Sequence, residues 1–371
     1  MTDASISTAG GAGKAKIAGG YSTLLVLSIA APLLFPAYVT QFTFLWILVV
    51  IALCWNIMGG EMGYNSFGNI VFFGVGMYTA SVVQVGMFAD VAQYTAAKGG
   101  VSLDLTVTQY LVGMGLGILA GAVLSVIVAG VLGLGMLGLR GHYFAIGTLG
   151  LGIAAGELAA GWEYIGAGSG MVPPQFPASL DRGNILYFMS FVLAIATFFA
   201  LRRLYRGRFG LALNAIRDDE DKAEAMGLHT TLYKTVAWCV SAFFTAMAGA
   251  ITGYVVGFID PIYVAFAGIT YGVWMVLMTV LGGKGTIWGP VIGAAVFHIT
   301  QELFWTYLLG WQRVALGLLI VLIVVFFPKG IVGYVRDKFP ERFGYKVDAA
   351  TADAATDPAL GQTAGKSGGS Q

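Results

Sequence analysis

The chain has 371 residues, of which 57% are hydrophobic and only 11% are charged, and its formal net charge is +1. A soluble globular domain carries about 25% charged residues. This chain therefore lacks the polar side chains that a water-facing surface needs, and its mean hydropathy of +0.80 predicts an all-α polytopic membrane protein in a lipid bilayer. The near-zero net charge gives no reason to expect nucleic acid as a partner.

The two ends of the chain differ from its apolar middle. Residues 1–20 are small and polar, and residues 347–371 show no apolar periodicity. Both compositions are typical of disordered tails, because they cannot bury enough apolar surface to fold. Between them, residues 21–335 are predicted to form one transmembrane domain.

Apolar segments long enough to cross a bilayer recur through this domain. A spanning helix needs about 20 mostly apolar residues. About ten segments meet or approach that length, at residues 21–38, 42–58, 66–88, 108–137, 143–160, 185–201, 235–258, 265–282, 286–309 and 312–327.

The distribution of basic residues orients these spans. If the N-terminus is cytoplasmic and ten spans alternate, 17 of the 20 Lys and Arg residues fall on the cytoplasmic side. Only Lys98, Arg182 and Arg313 fall outside. Cytoplasmic loops are enriched in Lys and Arg, so the count predicts ten spans with both termini in the cytoplasm.

A polar segment at residues 202–234 interrupts the apolar pattern and is predicted to be cytoplasmic. The chain has 20 basic and 19 acidic residues, and eleven of these charged residues lie within residues 202–224. Two short helices are expected here, the second capped by Asp218 or Asp219 and ended by Gly227. The segment is either a solvated loop whose basic residues set the topology or a docking element for a cytoplasmic partner. Its acidic residues and small-residue surface favour docking.

A second unusual block, "GGEMGYNSFGN" at residues 59–69, lies between two spans. It is too rich in glycine and polar residues for a plain helix. Irregular backbone at membrane depth survives only where protein or a water-lined cavity satisfies it. The block is either a broken or re-entrant entry to the third span that lines a pathway, or an ordinary cytoplasmic turn. Its polar candidates are Glu61, Tyr64, Asn65, Ser66 and Asn69.

Neither a nucleotide site nor a metal site is predicted. "GGKGT" at residues 282–286 differs from a phosphate-binding loop, in which Gly-Lys is followed directly by Ser or Thr, and it is interpreted as a tight turn. No His, Cys and acid cluster has metal-ligand spacing. The chain is expected to bind no cofactor of its own.

Four blocks resemble the bacterial branched-chain amino acid ABC permeases, in particular their LivM-type subunit. They are "GRFGLALNAIRDDEDKAEAMG" at 207–227, the block from residue 56 to residue 80, "LRGHYFAIGTLGLG" at 139–152 and "LGGKGTIWGPVIGAA" at 281–295. The resemblance covers roughly residues 40–335.

The resemblance implies two sets of functional residues. The first set would couple the permease to an ATPase and consists of Arg208, Gly210, Ile216, Arg217, Asp218, Asp219, Glu220, Ala223, Ala225, Met226 and Gly227. The second set would border the substrate pathway and adds Tyr143, Phe144 and Thr148 to the five polar candidates of residues 59–69.

The same resemblance implies a transport subunit of the bacterial inner membrane that performs no covalent chemistry. Its partners would be a second permease, two subunits that bind ATP and Mg²⁺, a periplasmic substrate-binding protein and the lipid bilayer. Branched-chain or other hydrophobic amino acids are the expected substrates, and urea or short amides are the alternative. A secondary transporter or channel that needs no ATP is the competing class of function.

Overall fold

The structure is a computed structural model that describes residues 25–97, 103, 105–308, 310–311, 314, 317–318, 321 and 330–338. The predictions of disorder at 1–20 and 347–371 lie outside the described residues. So does most of the predicted tenth span at 312–327.

The described residues fold into helices and contain no β-strand. The helices, in chain order, are α1 (Leu25–Leu34), α2 (Pro36–Glu61), α3 (Asn69–Gly86), α4 (Val91–Ala96), α5 (Val107–Met136), α6 (Gly141–Gly161), α7 (Arg182–Arg206), α8 (Arg208–Asp218), α9 (Glu220–Ala225), α10 (Thr230–Val256), α11 (Val273–Gly282), α12 (Gly289–Tyr307) and α13 (Gly330–Lys338).

Within the described part of the chain, seven helices are long and apolar enough to cross a membrane. They are α2, α3, α5, α6, α7, α10 and the segment Pro261–Gly282 that ends in α11. Each of these helices corresponds to one span predicted from the sequence, and most of the observed helix ends lie within a few residues of the predicted ones. The predicted first span is helical over Leu25–Leu34, and the predicted ninth is the helix α12. The protein is therefore a multi-pass membrane protein, while the total of ten spans stays a prediction.

The helices α3, α5 and α10 form the centre of the domain, and glycines let them approach closely. A Cβ atom on Gly121 would lie 3.0 Å from the backbone oxygen of Gly76 on α3, and one on Gly117 would lie 2.5 Å from that of Ala80. Gly249 of α10 packs in the same way against the backbone of Phe73. Small residues provide this contact in membranes, where lipid is as apolar as the side chains and packing drives helix association.

The helix α2 lies at the centre of the second half of the domain and packs against α7, α10, α11 and α12.

Two spans depart from regular α-helix. The last turn of α2 is π-helical over Ile57–Glu61, and π-helical turns at Pro261–Ala265 and Gly268–Gly272 precede α11. Such π-helical turns are rare and frequently occur at functional sites.

The connections between helices sort into two groups at opposite ends of the domain. One group consists of residues 62–68, 137–140, 207–229 and 283–288. Within it, Gly63 and Gly285 both lie beside Arg217, and Arg140 lies 3.8 Å from Glu220. At the other end, Met171 pairs with Ile259, and Arg182 donates to the carbonyl oxygens of Tyr254 and Val255 at 2.6 and 2.8 Å. The first group consists of the connections that the charge count predicts to be cytoplasmic.

Two glycines of α5 test the close packing of α5 against α3, because Gly117 lies against the backbone of α3 and Gly115 does not. Gly117→Ala places a Cβ against the backbone of α3, where no side chain can move aside, so we expect the mutant to be destabilised by about 1–3 kcal/mol. Gly115→Ala is the matched control, because nothing lies within 4 Å of a Cβ at that position. The apparent melting temperature in detergent measures both, and an equal effect of the two substitutions would contradict the proposed packing.

Candidate functional site

The polar segment between α7 and α10 folds into the two short helices that its sequence predicts. The helix α8 spans Arg208–Asp218 and α9 spans Glu220–Ala225. Asp219 is the N-cap of α9, and its carboxylate accepts a hydrogen bond of 3.1 Å from the backbone N–H of Lys222. Gly227 follows α9 with φ of 87°, a conformation that favours glycine. The prediction of two short helices is confirmed, and docking of a partner on them stays a prediction.

The predicted coupling residues divide between the two faces of this segment. Gly210, Ile216 and Ala223 are buried against the membrane domain, and Gly210 lies so close to the carbonyl of Tyr205 that a Cβ would clash. The exposed members of the set are Arg208, Arg217, Asp218, Ala225, Met226 and Gly227, and the partly exposed ones are Asp219 and Glu220. The buried residues attach the segment to the spans, and the exposed residues other than Arg217, whose side chain packs over Gly63, face outward.

Arg217 joins α8 to both glycine-rich blocks at this end of the domain. Its side chain packs over Gly63, whose φ is 79° and at which a Cβ would lie 2.9 Å from Cγ of Arg217. The turn at Gly285 lies beside the same guanidinium. Asn56 links the two blocks by accepting from the N–H of Gly285 at 3.0 Å and donating to the carbonyl of Thr286 at 3.2 Å.

A buried ion pair attaches α9 to the start of α10. The Nζ atom of Lys234 lies 2.6 Å from Oε1 of Glu220, and the exposed fractions of the two side chains are 2% and 11%. Lys234 also donates to the carbonyl oxygen of Leu137 at 2.8 Å. The pair therefore joins the polar segment to α10 and to the connection that follows α5.

Tyr64 and Arg140 complete the surroundings of Glu220. The hydroxyl of Tyr64 donates to Oε2 of Glu220, and the Tyr64 ring lies below the Lys234 ammonium, 4.9 Å from Nζ to the ring centroid. Arg140 lies 3.8 Å from Glu220 and 2.5 Å from Asp221. Burial opposes ionisation of Glu220, but the hydrogen bonds from Lys234 and Tyr64 outweigh it and lower its pKa below the usual range. We call Tyr64, Arg140, Glu220 and Lys234 the anchor cluster.

A second polar network holds the entry to α3. Asn69 accepts hydrogen bonds from Ser66 and from the indole N–H of Trp238, each at 3.1 Å, and donates to Ser241 at 3.0 Å. The indole of Trp55 donates to the carbonyl of Ser66 at 2.7 Å. All five side chains are buried, and Trp55 supplies a partner inside the protein to the irregular backbone between α2 and α3.

Two of the three candidates on α6 contact the connection between α2 and α3, and one does not. The Thr148 hydroxyl accepts from the backbone N–H of Phe67 at 3.1 Å, and the ring of Phe144 packs edge-on against Tyr64 with centroids 5.2 Å apart. Tyr143 is 77% exposed and points away.

Of the remaining two pathway candidates, Glu61 is the last residue of α2 and is buried, and Asn65 lies in the connection and is exposed. The structure thus gathers Tyr64, Ser66, Asn69, Phe144 and Thr148 and leaves Asn65 and Tyr143 outside. A role of any of them in the pathway stays a prediction.

Two members of these networks, Lys234 and Trp238, were not predicted from the sequence. In the sequence, Lys234 is one of the basic residues that indicate the topology and the last residue of the polar segment. Its position immediately before the apolar run of residues 235–258 could have drawn attention, because a lysine beside a membrane span needs a partner when it is buried. No spacing along the chain indicates that the partner is Glu220. Among the described residues, no group of three His, Cys, Asp or Glu side chains could hold a metal ion.

The anchor cluster makes a specific stability prediction. Glu220→Gln leaves the buried Lys234 ammonium without its counter-charge, and removing one partner of a buried pair costs about 3–5 kcal/mol. We expect a clearly lower melting temperature in detergent. The double variant E220Q/K234M should regain part of the loss, because it removes both charges.

Asp221→Asn is the matched control, one residue along the same helix. Asp221 is 77% exposed, and its pair with Arg140 is a surface ion pair, which is worth about 0–1 kcal/mol. If the two single variants melted at the same temperature, the Glu220–Lys234 pair would not be the anchor.

Comparison with known proteins adds an independent line of observation. A family model described as "Branched-chain amino acid transport system / permease component" matches residues 37–326. The high-affinity branched-chain amino acid transport system permease protein LivM of Salmonella typhimurium is 27% identical over 350 residues, covering 86% of this chain and 76% of the relative. No solved structure gives a significant match.

Two other relatives show how broad the similarity is. The probable branched-chain amino acid transport permease protein LivM of Methanocaldococcus jannaschii is 24% identical and covers 76% of this chain and 89% of its own length. The permease protein LivH of Escherichia coli is 30% identical, but over only 39% of this chain and 47% of its own. The family match includes α2 to α12 with both polar networks, and the chain therefore belongs to the family of branched-chain amino acid ABC transport permeases, with similarity to its LivM members over most of its length.

Proposed function

We propose that this chain is the LivM-type permease subunit of a bacterial inner-membrane importer for branched-chain or other hydrophobic amino acids. In this proposal it works with a second, LivH-like permease, two ATPase subunits and a periplasmic binding protein. ATP and Mg²⁺ are bound by the ATPases. Both termini lie in the cytoplasm, and ten helices span the membrane.

The orientation is supported by two observations that agree. The charge count predicts four cytoplasmic connections within the described part of the domain, and in the structure these four contact one another at one end. The polar segment α8–α9 lies at that end. A cytoplasmic ATPase would therefore meet α8–α9 together with the glycine-rich blocks.

The observation that carries the proposal is the two-sided character of α8–α9. Its inner side is attached by Glu220, Arg217 and the buried Ile216. Its outer side exposes two large apolar side chains, Leu211 at 71% and Met226 at 86%. An apolar contact surrounded by charge, on short helices that are fixed to the spans, is suited to insertion into a cleft of a partner protein.

The anchor cluster explains how a force on α8–α9 would reach the membrane. A displacement of α9 moves Glu220 and with it Lys234 on α10 and Tyr64 beside the entry to α3. The helices α3 and α10 are also in close glycine contact, so they would move together as a rigid unit. Coupling of this kind needs two discrete arrangements of packed elements, and the pathway candidates around Asn69 and Thr148 lie at the start of the moving unit.

Reconstitution tests the transport function. The chain, with its second permease, ATPases and binding protein in proteoliposomes, should take up radiolabelled leucine only when ATP is present. Excess unlabelled isoleucine should compete, and excess urea should not. Uptake that persists without ATP or without the ATPases would favour a secondary transporter or channel, and competition by urea alone would favour the amide substrates.

The docking surface has its own test. Met226→Asp should weaken binding of the ATPase subunits at least about tenfold, because it replaces one of the two exposed apolar side chains of the proposed contact with a charge. Binding of the purified ATPase to the permease in detergent measures the change.

Two controls separate docking from folding. Met226→Leu keeps the apolar surface and should bind normally. The melting temperature of the M226D variant should equal that of the unmodified chain, because the side chain is 86% exposed. Normal ATPase binding by the M226D variant would show that docking occurs elsewhere.

A further inference from the structure

An apolar cavity opens between α1, α2, α7 and α12, on the side of the domain away from the α3–α5–α10 centre. Its volume is about 260 Å³. For comparison, an apolar cavity of about 150 Å³ can hold a benzene molecule. The side chains that line it include Leu45, Trp46, Phe191, Phe198, Phe199 and Trp288. Almost no polar atom faces the cavity, so it is suited to hydrocarbon and not to a polar solute.

A basic hollow continues from this cavity along α7. It is lined by Phe199, Arg202, Arg203, Arg206 and Gly207, and Phe199 also lines the apolar cavity. Positions three and four apart share one face of a helix, so the arginines extend the stripe that begins at Phe199. From Phe199 to Arg206 the helix rises about 10 Å.

Two of the arginines that line the hollow are available to an anion. Arg203 and Arg206 are exposed, and none of the ion pairs between described residues involves either of them. A guanidinium binds phosphate oxygens well, because its planar donors match the phosphate geometry. The hollow therefore offers a phosphate site at the mouth of a hydrocarbon site.

We propose that this combined site binds an anionic phospholipid, with its phosphate headgroup at Arg203 and Arg206 and one acyl chain in the apolar cavity. A soluble phosphate would use only the arginines, and an apolar protein surface would leave two cations without a counter-charge. An anionic lipid satisfies both parts at once. Basic side chains at the end of a spanning helix are a recognised basis for selecting such lipids.

The site lies at the same end of the domain as α8–α9, immediately before Gly207. A lipid bound there would contact the last turns of α7, from which the polar segment extends. It belongs to the cytoplasmic leaflet if the proposed orientation holds, but the binding itself depends on neither the ATPases nor the transported substrate. Its failure would therefore leave the proposed transport function unaffected.

Photo-crosslinking to the purified full-length chain in detergent tests the proposal. The probe is phosphatidylglycerol with a diazirine on one acyl chain, and mass spectrometry locates the attached peptides. We expect labelling of peptides that contain Trp46, Phe199 or Trp288, competition by unlabelled phosphatidylglycerol, and little competition by phosphatidylcholine or inorganic phosphate. Labelling that phosphatidylcholine suppresses equally would overturn the proposal, because the arginines would then have no role.

Three variants distinguish the two parts of the site. R203Q/R206Q should lower the affinity roughly 25-fold, since each basic side chain near a lipid headgroup contributes about fivefold. Ala295→Phe adds a ring to the cavity wall and should abolish acyl-chain labelling while the arginines remain. Arg208→Gln is the matched control, an exposed arginine outside the hollow, and should have little effect.

The assembled transporter provides the last arm of the test. Labelling of the same peptides should persist when the second permease and the ATPases are bound. Loss of labelling on assembly would mean that a protein partner covers the cavity, and an equal effect of R208Q and R203Q/R206Q would mean non-specific attraction. Either result would overturn the proposal.

Discussion

The ion pair between Lys234 and Glu220 is the interaction on which the arrangement of the cytoplasmic end depends. Lys234 lies in the second turn of α10 and is almost fully buried, and a buried ammonium without a counter-charge is strongly destabilising. Glu220 supplies that charge from α9. If the polar segment moved away from the membrane domain, the lysine would become exposed or would stay buried without a counter-charge. Tyr64 and Arg140 complete the pair, and as a result four separate stretches of the chain meet at one carboxylate. Partner binding at α8–α9 would act on this junction.

The membrane domain follows from a different constraint, the absence of water in the bilayer. Regular helices satisfy their own backbone, and glycines such as Gly117 and Gly249 let three of them pack closely. The backbone between α2 and α3 is irregular, and the side chains of Trp55 and Thr148 bond to it directly. Closely packed helices and a hydrogen-bonded irregular entry together give a unit that can move as one body. The cavity beside α7 lies outside that unit, at a surface that lipid can reach.

Much of the local structure could be predicted from the sequence. Runs of apolar residues predicted the spanning helices, and the order of Asp219, the acidic first turn and Gly227 predicted α9 and its end. The turn at Gly283 and Gly285 was also predicted, and both residues have positive φ. These features depend on neighbours in the chain. The candidate site was only partly predicted, because Asn69 and Tyr64 were singled out as polar residues in an apolar block, without any indication of what they bond to.

By itself, the sequence determined that the chain is a multi-pass helical membrane protein, roughly where its spanning helices lie, and that a polar segment with two short helices separates two of them. These properties follow from apolar length, capping residues and charge, which act locally. Only the tertiary structure decided that Lys234 pairs with Glu220, that Asn69 bonds to Trp238 and Ser241, and that Phe199 joins an apolar cavity to a row of arginines. The partners of Asn69 lie about 170 residues away in the chain. Such pairs are created by helix packing, because a buried polar group must find its partner wherever the fold brings one within reach.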